Sequence, residues 1–126
     1  MQKVLLVGVG GFVGSVARYL LSGYVQNVTA GTFPYGTLAV NVLGCLLIGV
    51  LSELAEARAF LSADTRALVV IGVLGGFTTF SAFGNETIAL LRDRDWTLGA
   101  ANVAAHVVLA IGSVWLGRAA AHALWR

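Results

Sequence analysis

This chain is short of charge, of cysteine and of proline. Only 11% of its 126 residues are charged, where a soluble domain has about 25%. Its eight lysines and arginines are scattered and never form a run, which excludes a basic nucleic-acid surface, and the net charge of +2 reads as charges flanking helix ends. The single cysteine, Cys45, excludes an intrachain disulfide; beside Gly44 in an apolar run it reads as a small packing residue. The apolar runs hold no pair of acids, no Cys and His at metal-ligand spacing and no glycine-rich phosphate cradle. Without those, no hydrolytic or redox constellation exists and an enzyme is not expected. The one imitation of a dinucleotide fingerprint, "VLLVGVGGFVG", has Val13 where a third glycine belongs and no acid before Glu53.

Apolar residues make up 58% of the chain. Near-continuous apolar runs cover about 4–22, 35–52, 67–91 and 97–121, each close to the ~20 residues that cross a bilayer core. The expectation is an all-α membrane protein, one domain of four transmembrane helices (residues 1–126), embedded in the lipid bilayer. The first run is too long for a cleaved secretory signal and carries Arg18 and Tyr19 where a cleavage region would lie. With the N-terminus inside, that side collects Lys3, Arg58, Arg66, Arg118 and Arg126, against Arg92, Arg94 and Arg18. So weak a positive-inside bias predicts insertion in both orientations.

In the first span, Gly10 and Gly14 form a small-xxx-small pair for close helix packing, and Arg18 lies one turn further on, near the expected helix end. There it snorkels to headgroups or faces an aqueous vestibule. Tyr24, Phe33 and Tyr35 suit an interfacial belt, and Pro34 marks the start of the second span. On that span Thr37, Asn41, Gly44 and Cys45 share a face. Small neighbours around a polar residue mark contact with protein or water, or a helix-to-helix hydrogen bond.

The third span is anomalous. "GVLGGFTTFSAFGNET" carries Gly72, Gly75 and Gly76, adjacent Thr78 and Thr79, Phe80 and Phe83 on one face, and Ser81, Asn85 and Glu86. Glycines and hydroxyls weaken a helix, so a break at 75–79 is expected. Such backbone is tolerated at membrane depth only inside protein or along a wet cavity, and freed carbonyls there often hold a sodium ion. The fourth span sets Asn102, His106 and Ser113 on one stripe. His106 reads as a structural or pore-lining imidazole, with a proton relay as the other use.

Asn41, Thr79, Ser81, His106 and Ser113, with no acid but Glu86, form a donor-rich lining suited to a small anion. Phenylalanine ring edges are electropositive. Two rings presented edge-on beside amide and hydroxyl donors replace an anion's water without trapping it, the compromise conduction needs. Four helices are too few to enclose a pore, so a homo-oligomer is expected, a two-fold dimer being the commonest form.

"GGFTTFSAFGNE", with "NVLG" on the second span and "GGFVGSVARY" on the first, closely resembles the Fluc (CrcB) fluoride channels, and the similarity runs over essentially the whole chain. The resemblance implies a dual-topology antiparallel homodimer in the bacterial inner membrane. Its two pores would release fluoride passively and limit its toxicity. It implies that Phe80 and Phe83 meet fluoride, that Asn41 lines the pore, that Arg18 sits toward a vestibule, and that Thr79, Ser81 and Glu86 lie near a polar track. It further implies a structural, untransported Na+ held by the carbonyls of Gly75 and Thr78. Relatives often carry a tyrosine, serines and a threonine on the pore side of the fourth helix; Asn102, His106 and Ser113 stand there in this chain. The alternative from another mechanistic class is a proton-coupled fluoride or small-solute transporter using Glu86 and His106.

Overall fold

The computed structural model describes residues 1–58 and 61–125. Residues 59, 60 and 126 lie outside it, and with them Arg126 of the orientation count. The described residues are helical and contain no strand. Helix α1 covers Gln2–Thr29 and α2 covers Tyr35–Arg58. The third span divides into α3, residues 63–77, and α4, Phe80–Arg92. Helix α5 covers Trp96–Leu124, and the four spans are all long and apolar enough to cross a membrane. At 28 residues, α1 is about 42 Å long and overruns the ~30 Å hydrocarbon core. Its helix therefore continues past residue 22, where the apolar run ends, and stops only at Ala30 in the left-handed conformation (φ 46°).

Gln26 closes the turn that follows. Its Nε2 donates to the carbonyls of Gly31 (2.9 Å) and Phe33 (3.1 Å), and its Oε1 accepts from Gly36 N–H. One side chain thereby satisfies three backbone groups of a turn that has no ladder of its own.

Glycines set how the helices approach. A Cβ on Gly10 would overlap the Leu68 carbonyl, and one on Gly14 the Val73 carbonyl, so α1 lies backbone-to-backbone on α3. Gly49 and Gly117 play the same part between α2 and α5, against the Val114 and Leu46 carbonyls. The core is small: Val40, Ala67, Leu74, Phe77, Leu90 and Ala121 are the buried apolar residues, while much of each helix presents apolar side chains outward. A membrane protein whose spans face lipid is built this way round.

Two stretches are wound more widely than an α-helix, Arg66–Leu74 in α3 and His106–Ala110 in α5, both π-helical. Such stretches shift the helix face that follows them. At one end, Arg118 pairs with Glu56 and Glu53 (3.3 Å to Glu53), and His122 Nδ1 lies 2.9 Å from Glu53. These contacts tie α5 to α2 where both leave the apolar layer.

Candidate functional site

The interruption of the third span is two residues long. Thr78 (φ −89°, ψ 158°) and Thr79 (φ −152°, ψ 114°) are extended, while Gly75–Phe77 remain helical. The threonines, and not the glycines, give up the helix, because each gains a substitute bond. Thr78 Oγ1 donates back to the Leu74 carbonyl at 3.0 Å. Thr79 caps α4, its hydroxyl accepting from Ala82 N–H at 3.2 Å.

Asn41 of α2 completes the repair. Its Oδ1 accepts from Thr79 N–H at 2.8 Å and its Nδ2 donates to the Thr79 carbonyl at 3.0 Å. A buried primary amide can serve one donor and one acceptor of the same residue at once, which a hydroxyl or carboxylate cannot do as completely. Gly44, one turn along α2, leaves room for the Thr78 methyl, which a Cβ there would strike.

The same bonds decide which carbonyls are free. Thr79 N–H would bond the Gly75 carbonyl in an unbroken helix, and it bonds Asn41 instead. The Thr78 carbonyl belongs to extended backbone and stands outside the ladder. Between them the Gly76 carbonyl is taken by Arg18 Nε at 3.0 Å. Arg18 is thus turned inward onto the break, well inside α1, and not at a helix end. No group of three or more His, Cys, Asp or Glu side chains is gathered among the described residues.

Beside the break opens a cavity of about 480 Å³. Asn41, Thr79, Phe80, Phe83 and His106 line it together, with Gly75 and Thr78 on its wall. Phe80 and Phe83 are 5.3 Å apart with their planes inclined by 59°, and Phe83 lies 4.3 Å from the His106 ring. The two rings are in contact and tilted against each other, at a separation where aromatic pairs attract. Phe80 is 82% exposed, a large apolar ring held out at the mouth of a partly polar cavity.

A buried chain of hydrogen bonds fixes Phe83 from behind. Thr87 Oγ1 donates to the Phe83 carbonyl at 2.8 Å, so the hydroxyl must accept the 2.9 Å bond from Asn102 Nδ2. Asn102 is fully buried, and its backbone carbonyl lies 3.0 Å from His106 Nδ1. Sequence reasoning places Asn102 on the polar stripe but does not find Thr87. The signal for it is slight: Thr87 stands four residues beyond Phe83, across the tight 93–95 turn from Asn102.

Other expected residues lie apart. Glu86 faces a second cavity of about 350 Å³, shared with Ser22, Gln26, Thr32 and Thr37, and its Oε1 accepts from Thr37 Oγ1 at 2.6 Å. Ser81 is exposed, with its hydroxyl 3.3 Å from that of Thr79 at the rim. Ser113 is buried but does not line the large cavity.

Residues 5–118 match the family model described as CrcB-like protein, Camphor Resistance (CrcB). Three similar proteins carry the description fluoride-specific ion channel FluC. The one from Opitutus terrae is 47% identical over 96% of this chain and 93% of its own length. That from Methylobacillus flagellatus is 46% identical over 93% and 92%, and that from Geotalea daltonii 42% identical over 96% and 98%.

Proposed function

This chain belongs to the CrcB family, and from that premise we propose that it is a passive, fluoride-selective channel. It is a multi-pass integral membrane protein and not an enzyme. The observation that carries the reading is the meeting of Phe80 and Phe83 with the Asn41–Thr79 clamp at one cavity that no acid lines. Fluoride sheds water as it enters; ring edges and the donors nearby replace part of that shell without a fixed cation to hold the ion. Ser81, at the rim, extends the polar path outward, while Arg18 is held on the Gly76 carbonyl and does not line the cavity.

The finer assignment is an antiparallel, dual-topology homodimer of the bacterial inner membrane, with two pores, that lets fluoride leave the cell and so limits its toxicity. The exposed Phe80 ring and the open cavity support it, because a second copy would supply the missing wall. The carbonyls of Gly75 and Thr78 fit a structural Na+ that is not transported: they are oxygens released from the helical ladder, the donors a hard cation prefers. Two oxygens do not complete its shell, and a two-fold axis beside the break would double them. Bound there, the ion would neutralise carbonyl dipoles packed at the dimer centre.

The proton-coupled reading has one observation in its favour, the buried and unpartnered Glu86 Oε2 and His106 Nε2. Fluoride efflux from liposomes, followed with a fluoride electrode, separates the two. Rapid fluoride release, retention of chloride and indifference to an imposed pH gradient are expected of the channel. Fluoride driven uphill by protons would establish the carrier, and no movement of either anion through folded dimer would end both fluoride readings.

A further inference from the structure

Helices α1 and α3 meet backbone to backbone at Gly10 and Gly14, and a Cβ on Gly76 would strike the Gly11 carbonyl and the Ser15 hydroxyl. Arg18 is the next residue of α1 on that face, one turn beyond Gly14. Helical side chains lean toward the N-terminus of their own helix, so Arg18 folds back onto the last turn of α3. Its Nε donates to the Gly76 carbonyl at 3.0 Å.

Helix α3 stops at residue 77, and the last carbonyls of a helix lack ladder partners and form its negative pole. The Leu74 carbonyl is met twice, by Thr78 N–H and by Thr78 Oγ1, both at 3.0 Å. The Gly76 carbonyl has Arg18. Next to it along the helix, the Gly75 carbonyl is one of the two assigned above to sodium. Arg18 joins none of the ion pairs among the described residues, which gather at Arg118 and His122. The counter-charge of this half-buried guanidinium is therefore a helix pole and not a carboxylate.

A permanent positive charge thus stands on the same helix end that offers oxygens to an exchangeable cation. Resting on the sodium reading above, we propose that Arg18 is a specificity-determining residue of that site, a resident cation that caps α3 from α1 and restricts the site to a monovalent ion. Sodium and calcium are both hard ions that take oxygen ligands, so oxygen donors alone separate them poorly. A fixed charge separates them well, because its repulsion scales with the charge of the incoming ion. Whatever factor Arg18 costs a monovalent ion, it costs a divalent ion about the square of that factor.

The test is thermal unfolding of the detergent-solubilised dimer in a bulky organic cation, with sodium or calcium added at matched ionic strength. For each ion, the concentration giving half its full rise in Tm is read. The unsubstituted protein and Arg18→Lys should respond to sodium and not to calcium. In Arg18→Gln the sodium concentration needed should fall by at least about fivefold, and the calcium concentration by roughly 25-fold, so that calcium now stabilises. An unshifted sodium response in Arg18→Gln, or Arg18→Lys behaving like Arg18→Gln, overturns the proposal, since the first denies a charge effect and the second assigns it to the hydrogen bond. Nitrogen NMR of labelled arginine Nε needs no neutral variant to fold. The Arg18 signal, identified as the one missing from Arg18→Lys, should move when sodium replaces the organic cation, and a signal that stays put overturns the proposal. No response of the unsubstituted protein to sodium removes the sodium site, and this inference with it, while leaving the fluoride channel standing.

Discussion

Replacing Asn41 by aspartate changes one heavy atom. Oδ1 still accepts from Thr79 N–H, but an oxygen replaces Nδ2 only 3.0 Å from the Thr79 carbonyl. The lost donor leaves that carbonyl unsatisfied, at a cost of about 1–3 kcal/mol. The larger effect falls on the permeating ion. At an effective dielectric constant of about 20, a negative charge about 4 Å from fluoride costs about 4 kcal/mol, roughly a thousandfold in occupancy. Asn41→Asp should therefore assemble as a dimer by size-exclusion chromatography yet lose fluoride efflux by about two orders of magnitude or more. Asn41→Ala supplies the contrast, since it strands both Thr79 groups, about 2–6 kcal/mol, and adds no charge. It should be the less stable variant and the less completely blocked. Efflux through Asn41→Asp within about threefold of the unsubstituted protein would place Asn41 off the ion's path and refute this account.

Phe80→Ile and Phe83→Ile keep the apolar bulk and remove the ring edges; each should lower fluoride efflux by at least about threefold with the dimer intact, and unchanged efflux would exclude the aromatic role. Gly14→Val drives a side chain into the Val73 carbonyl and should destabilise the α1–α3 pair by about 1–3 kcal/mol or more, visible as loss of folded protein on purification. Exchange of sodium for a bulky organic cation should weaken the dimer or slow efflux if Gly75 and Thr78 hold the ion; indifference to the exchange would remove sodium from the scheme. Arg118→Ala, which cuts a solvent-exposed contact with Glu53 and Glu56, should leave efflux unchanged, because exposed ion pairs are weak.

The spans were legible because lipid imposes long apolar runs, although the helix ends were not: α1 and α2 continue through polar residues once nucleated. The face of Asn41, Gly44 and Cys45 was legible from helical spacing, and all three line the large cavity. Thr37 shares that face by spacing but bonds Glu86 instead. Sequence shows the angular position of a residue and not which neighbouring helix stops beside it. The position of Arg18 was missed because the length of α1 was underestimated, and the Gly76 carbonyl that receives it has no side-chain signature. The glycines at 75 and 76 suggested a longer break than the structure has. Both glycines stay helical, and Gly76 packs closely against Gly11 and Ser15 of α1. The Asn102–Thr87 link depends on the α4–α5 turn, which spacing within either helix does not encode.

The glycine seam between α1 and α3 carries a consequence for biosynthesis. Gly10 and Gly72 meet in the finished protein, yet about sixty residues of synthesis separate them. At roughly 5–20 residues per second, α1 waits in the membrane for several seconds with its flattest face against lipid. During that interval nothing in the chain itself occupies the seam, and any other helix with a small-residue face is a competitor for it. Faithful assembly thus depends on the arrival of α3 before a wrong neighbour, so translation speed, and not only the final packing energy, bears on how much of this protein reaches its native form.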